Sequence, residues 1–224
     1  MSTEGGLCVL SSGGLDSAVA LAEATRSETP VHPVYVRAGL TWESAEMYWL
    51  DQFLQTLSPA ARPLKVLDAP AGDLYGEHWS LTGVGAPDEA SPDDAVYLPG
   101  RNILLLAATA VYAVGVGCRS IVLGPLASNP FPDGSPIFFE RMAAALGEGL
   151  GLSGPLVIET PLVGLSKPDV IRRGAAWRLD LTFSCLDPSP DHVHCGACNK
   201  CAERRLGFSD AGVTDPTEYC SGRG

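Results

Sequence analysis

The chain predicts an α/β protein: one parallel sheet with helices on both faces, followed by a small cysteine-rich module. Three observations carry this. Five short apolar runs alternate with five helical patterns, the order that builds a parallel sheet. The first run ends in a hydroxyl- and glycine-rich turn that opens straight into an alanine-rich helix. From about Thr182 the alternation stops, and four cysteines fall within seventeen positions. The expected boundary therefore puts the sheet domain at 1–181 and the cysteine-rich module at 182–224.

Taken in order, Leu7–Leu10 is the first strand-like run, and Ser17–Ala24 the first helix. Val31–Val36 is the second strand and Trp42–Leu57 a longer helix. Leu64–Leu67 reads as the third strand. Between Ala69 and Asp94 the chain turns polar, with Asp73, Glu77, Asp88, Glu89, Asp93 and Asp94 amid Gly and Pro. That composition predicts a long surface loop or a lid over a site, with a disordered insert as the alternative. Ile103–Val114 opens the longest apolar run, Ile103–Cys118, which Thr109, Tyr112, Gly115 and Gly117 interrupt. It reads as a buried helix leading into the strand Ser120–Leu123, short of a membrane span. Phe138–Gly149 and Lys167–Ala176 are helical patterns on either side of the strand-like Leu156–Glu159.

Composition narrows the function. A length of 224 residues suits one α/β domain with a small appendage, and no internal repeat stands out. The formal net charge of −11 argues against a general nucleic-acid binder, which needs clustered Lys and Arg for phosphate. A small-molecule substrate is expected instead. Met1–Gly6 has neither a basic segment nor an apolar one ahead of a cleavage site, so a cytoplasmic protein without membrane attachment is expected. Seven cysteines crowded toward one end suit a metal better than a disulfide framework.

The turn Ser11–Ser12–Gly13–Gly14–Leu15–Asp16–Ser17 is the most informative stretch. Two adjacent glycines allow a sharp turn that aims backbone N–H groups into one concavity. The helix behind it adds the partial positive charge of its N-terminus, so the turn is built for an anion. Ser12 and Ser17 can donate hydroxyls to phosphate oxygens, and Asp16 can hold a metal ion or orient the loop. The plainer alternative is a strand-to-helix connection with Ser17 as a cap. The nucleoside-triphosphatase loop, Gly-x-x-x-x-Gly-Lys-Ser/Thr, is a different pattern.

Cys185, Cys195, Cys198 and Cys201 can close around one tetrahedral ion, with Gly196 easing the turn. Four thiolates leave no open position, which predicts a structural zinc site; an iron–sulfur cluster is the second candidate. His192 and His194 are read as neighbours of the site. Cys8 and Cys118 read as inert core thiols.

The Ser-Gly-Gly-x-Asp-Ser turn resembles the pyrophosphate-binding loop of the ATP pyrophosphatases, which cleave ATP between its α- and β-phosphates and adenylate a substrate oxygen. Further blocks accompany it: Leu98–Asn102, Thr160–Leu162 with Ser166–Lys167, Thr182–Cys185, Cys195–Arg204, and Gly207–Phe208 with Asp215–Tyr219. In this order they resemble the 7-cyano-7-deazaguanine synthase family, the nitrile-forming enzymes of queuosine biosynthesis, from about Leu7 to Tyr219. The resemblance implies a Rossmann-like fold of the adenine nucleotide alpha hydrolase type and a nucleotide-binding role for the sheet domain. It implies two ATP-dependent stages on 7-carboxy-7-deazaguanine: adenylation and capture of ammonia to give an amide, then a second adenylation and elimination to the nitrile. Ser12, Gly13, Gly14, Leu15, Asp16 and Ser17 would hold ATP and its leaving pyrophosphate, with Mg²⁺. Arg101 and Lys167 would supply positive charge, each with an alternative reading as a surface cation near a helix start. Asn102 would orient a polar group of the substrate or cap its helix. A homodimer is implied as well.

The chain departs from the family's pattern in two places. Val36–Glu43 stands where a Tyr-Gly-Gln-Arg-His-like segment is usual, and Phe131–Phe138 replaces a Tyr-Pro-Asp-Cys-Arg-Pro-Glu-Phe block. Asp133 remains, either to accept hydrogen bonds from a guanine-like edge or as part of a Pro-Asp-Gly turn. Arg37, at the end of the second strand, is the candidate to replace the lost cation and meet the substrate carboxylate. Two other functions stay open: an adenylating enzyme with another amine acceptor or a tRNA base, and a non-catalytic ATP or AMP sensor.

Overall fold

The computed structural model describes residues 5–220. Five parallel strands form one sheet in the order β3-β2-β1-β4-β5. They are β1 (Leu7–Leu10), β2 (Val31–Arg37), β3 (Lys65–Asp68), β4 (Ser120–Val122) and β5 (Val157–Glu159). The connecting helices are α1 (Leu15–Ala24), α2 (Glu43–Leu57), α5 (Arg101–Gly115), α6 (Pro136–Gly149) and α7 (Lys167–Gly174). Each expected strand and helix is present, with ends moved by a few residues. Between β3 and α5 lie two helical turns, α3 (Gly72–Tyr75) and α4 (Trp79–Thr82), and α8 (Asn199–Ala211) is the last helix among the described residues.

The two-residue period of a strand sends alternate side chains to opposite faces. Val9, Val31, Tyr35 and Val122 accordingly share one core with Leu21, Leu50, Phe53, Ile171 and Phe208 of α1, α2, α7 and α8. Cys8, Leu10, Val34, Val36 and Ile121 share the other with Leu106, Ala110, Ala113 and Phe139 of α5 and α6. Central strands apolar on both faces are what a doubly covered parallel sheet requires. Cys8 and Cys118 are fully buried in the second core.

Two expectations are corrected and one is narrowed. The apolar helix is half-buried only: α5 lays Leu106, Thr109, Ala110 and Ala113 on the sheet and leaves Ile103 and Val111 exposed. Asp93–Gly115 is long and apolar enough by composition to cross a membrane, but it is divided into a 3₁₀ turn, a left-handed Gly100 and α5. The polar stretch after Ala69 is an ordered layer at the surface, which rules out the disordered insert and leaves the surface loop or lid. Trp79 stacks on Trp42 at 5.6 Å, and Asp88 bridges to Cys198. Finally, the cysteine-rich segment contains a thirteen-residue helix, α8, hidden in sequence by its polar composition. Phe183 and the four cysteines share a third apolar cluster with Ala38, Leu40, Trp42 and Ala71.

Chain order reverses across β1 and β4, since β2 and β3 lie on one side of β1 and β4 and β5 on the other. Ligand crevices in open α/β sheets form at the carboxyl ends of the strands at such a reversal. A cleft of about 360 Å³ opens there.

Candidate functional site

The turn after β1 forms the floor of this cleft. Gly13 takes φ +76°, and a Cβ there would meet the Glu46 carbonyl oxygen at 2.7 Å, so only glycine fits. The Gly13 carbonyl accepts from the Phe183 amide at 2.8 Å, tying the turn to the cysteine-rich segment. Ser12 and Ser17 bring their hydroxyl oxygens within 3.1 Å, and Ser17 donates to the Gly14 carbonyl at 2.9 Å. Gly14 is the N-cap of α1, with no side chain capping the helix. These hydroxyls and free helix amides form a cradle for an anion.

Asp16 stands beside it. Its Oδ2 receives Lys167 Nζ at 2.6 Å, whereas its Oδ1 is buried with no hydrogen-bond partner. A buried, unpaired carboxylate oxygen facing a cleft is a costly arrangement that a bound cation would relieve. Lys167 is the first residue of α7, whose start is fixed by a capping box between Ser166 and Asp169. Its stem crosses Gly207 of α8, where a Cβ would fall 2.7 Å from Lys167 Cγ. Lys167 Nζ also reaches Glu203 Oε1 at 3.1 Å, and Glu203 Oε2 receives Lys200 Nζ at 2.6 Å. Burial works against charge on both Lys167 and Glu203, yet the facing partners win. Lys167 is held above the usual lysine range, and Glu203 is pulled down to about 2.

The opposite wall carries Arg101, the first residue of α5, with its Nε buried and unpartnered. Behind it, Glu46 accepts from the Tyr35 hydroxyl at 2.6 Å. Burial pushes the Glu46 carboxyl up to about 7, although Arg101 and the tyrosine bond pull the other way. Trp42, Trp79 and Phe131 supply flat apolar surface around the cleft.

The structure thus brings Ser12, Gly14, Leu15, Asp16, Ser17, Arg101, Asn102 and Lys167 to one cleft. Gly13 lies beneath them. Asn102 donates from its backbone to Asp133 Oδ2 at 2.9 Å and from its side chain to the Asp133 carbonyl at 2.8 Å. Asp133 is buried and ties the start of α5 to the 3₁₀ turn Pro132–Gly134. Arg37 is not brought in: it is exposed and paired with Asp68 across β2 and β3 at 2.7 Å. Tyr35, Glu46, Trp42, Trp79, Lys200 and Glu203 were not singled out by sequence. Lys200 and Glu203 fall in the Cys195–Arg204 block without a role of their own there, and their three-residue spacing places both on one helix face.

The sulfurs of Cys185, Cys195, Cys198 and Cys201 lie within 4.8 Å of one another, all four residues buried. Cys195 and Cys201 approach to 3.9 Å, as do Cys185 and Cys198. A tetrahedral ion with metal–sulfur bonds of about 2.3 Å needs sulfurs ~3.8 Å apart, so the residues fit one. Backbone amides of Leu186, Cys195 and Ala197 point at Cys198, Cys185 and Cys195 sulfurs, offering donors to thiolate charge. His194 is no competitor: it is buried and its Nε2 accepts from the Ser184 amide at 3.0 Å.

Comparison with known proteins follows the same lines. The family model described as queuosine biosynthesis protein QueC matches residues 6–212. The 7-cyano-7-deazaguanine synthase of Azoarcus sp. (strain BH72) is 36% identical over 221 residues, covering 94% of this chain and 95% of that protein. Its namesake from Methanothrix thermoacetophila is 35% identical over 225 residues, covering 94% of this chain and 96% of its own. Among solved structures, a predicted subunit of tRNA methyltransferase from Methanocaldococcus jannaschii matches with a TM-score of 0.53 at 12% identity. It covers 98% of this chain and 93% of that one, a likeness of fold alone.

Proposed function

This chain belongs to the queuosine biosynthesis protein QueC family, and on that footing we propose that it converts 7-carboxy-7-deazaguanine and ammonia into 7-cyano-7-deazaguanine at the expense of ATP. The observation that carries this reading is the anion cradle of Ser12–Ser17 beside the unpaired Asp16 Oδ1 and Lys167.

In the first stage a carboxylate oxygen of the substrate bonds to the α-phosphorus of ATP while the bond to pyrophosphate breaks. The loop amides, Ser12 and Ser17 hold the departing group, and Lys167 and Arg101 offset its growing charge. Ammonia then adds to the acyl carbon, AMP leaves and a proton is lost, giving the amide. In the second stage the amide oxygen is adenylated in the same way. Loss of AMP and the two N–H protons yields the nitrile. Mg²⁺ suits Asp16 Oδ1, an oxygen donor of the kind that ion prefers, and would neutralise phosphate charge. Zn²⁺ suits the four cysteine sulfurs by spacing and chemistry, and would act structurally. Asn102 and Asp133 serve as a rigid pair that fixes the start of α5 and hence Arg101. A cytoplasmic homodimer belongs to the same reading.

The test is mass spectrometry of the products formed from the carboxylated deazaguanine, ATP and ammonium. A nitrile with two AMP and two pyrophosphate is expected, and none of these from Asp16→Ala. Absence of AMP formation by the wild type with this acid would overturn the assignment.

A further inference from the structure

Four charged side chains run in an unbroken line from the anion cradle to the metal-binding segment. Asp16 Oδ2 meets Lys167 Nζ at 2.6 Å, Lys167 meets Glu203 Oε1 at 3.1 Å, and Glu203 Oε2 meets Lys200 Nζ at 2.6 Å. All four line the cleft. Lys200 stands between Cys198 and Cys201 in sequence, so the turn that gathers the four thiolates also delivers it.

The charge balance of this line is decisive. Without Lys200, a single cation, Lys167, would face two carboxylates, and this line of side chains would carry one net negative charge. That would oppose an anion arriving a few ångströms away, in a setting only partly screened by water. With Lys200 the line is neutral, and Lys167 is released from balancing Glu203.

We propose that Lys200 is a positioning residue of the phosphate site: by neutralising Glu203 it frees Lys167 to serve the pyrophosphate group. The proposal rests on the reading of Ser12–Ser17 as a pyrophosphate cradle. It adds that the cysteine-rich turn contributes to anion affinity as well as to the fold. No bond is made or broken by Lys200.

The experiment is calorimetric titration of metal-loaded protein with magnesium pyrophosphate at moderate salt. Lys200→Met should weaken binding roughly tenfold, with metal content and Tm kept as controls on folding. Lys200→Arg should bind like the wild type. Glu203→Gln should bind at least as tightly as wild type, and Lys200→Met combined with Glu203→Gln should regain most of the lost affinity. That recovery is what separates neutralisation of Glu203 from a merely structural role for Lys200. Wild-type affinity in Lys200→Met, or a double variant no better than Lys200→Met, would overturn the proposal. A wild type that binds no pyrophosphate would overturn the cradle reading itself, and this one with it.

Discussion

At the scale of single residues, the cleft leaves a few buried polar atoms unsatisfied. Asp16 Oδ1 and Arg101 Nε are buried without partners, whereas most buried polar atoms in proteins are paired. Their opposite charges suit a cation and an anion respectively, as a magnesium-bound polyphosphate would provide. Glu46 is a different case, a buried residue of the cleft wall with its carboxyl raised from 4.5 to about 7. The folded form therefore holds the proton more tightly than the unfolded chain does. The corresponding stability is complete below about pH 4.5 and is lost as pH rises through about 7. Glu46→Gln keeps an acceptor for Tyr35 and removes the titration. Its Tm should fall less than that of the wild type between pH 5 and pH 8, the difference corresponding to at most about 3 kcal/mol. Parallel Tm curves for the two proteins would remove Glu46 from the pH dependence.

At the scale of elements, glycines decide how closely the site's pieces approach. Gly13 lets the turn after β1 lie against the backbone of α2, and Gly207 lets α8 lie under the stem of Lys167. Gly13→Ala combines a left-handed backbone angle with a clash against a carbonyl oxygen that cannot rotate away. It should cost about 2–4 kcal/mol of stability and abolish ATP binding, measured by thermal unfolding and titration. Unchanged unfolding would show that the turn adapts. The elements themselves were legible in sequence because their apolar runs have strand or helix length and their ends carry Gly, Pro or Ser. Helix α8 was not, since Asn199–Ala211 has few apolar residues: its buried groups include Asn199, Cys201 and Arg204. Arg204 instead spends its guanidinium on Thr217, Thr182 and the Leu179 carbonyl, a set that only the folded chain assembles.

At the scale of the whole molecule, one segment joins the metal centre to the cleft. Phe183 holds the Gly13 carbonyl, the cysteines sit in the apolar cluster with Trp42 and Leu98, and α8 carries Lys200 and Glu203 into the cleft. Stripping the metal with a chelator should therefore lower Tm and weaken ATP binding together, and metal restoration should recover both. Full ATP affinity in metal-free protein would show that packing alone holds the segment. The polar layer is fastened to the same place through Glu89 to the Ala197 carbonyl and Asn199 to the Ser91 carbonyl. Its acidic composition left a disordered insert open in sequence, since composition does not report hydrogen bonds of this kind.

The sequence by itself determined the parallel sheet, the glycine- and serine-rich turn after the first strand and the four-cysteine set. Each is a local pattern: alternation along the chain, six adjacent residues, or cysteines a few positions apart. Only the tertiary structure decided which charges meet at the cleft. It drew Lys167 to Asp16 across 151 positions and kept Arg37 outside with Asp68. It turned Asp133 to the start of α5 and placed Lys200 and Glu203 in the same cleft as the turn after β1. Those outcomes depend on which helix faces pack on the sheet and on where glycines permit close approach, and no local spacing encodes either.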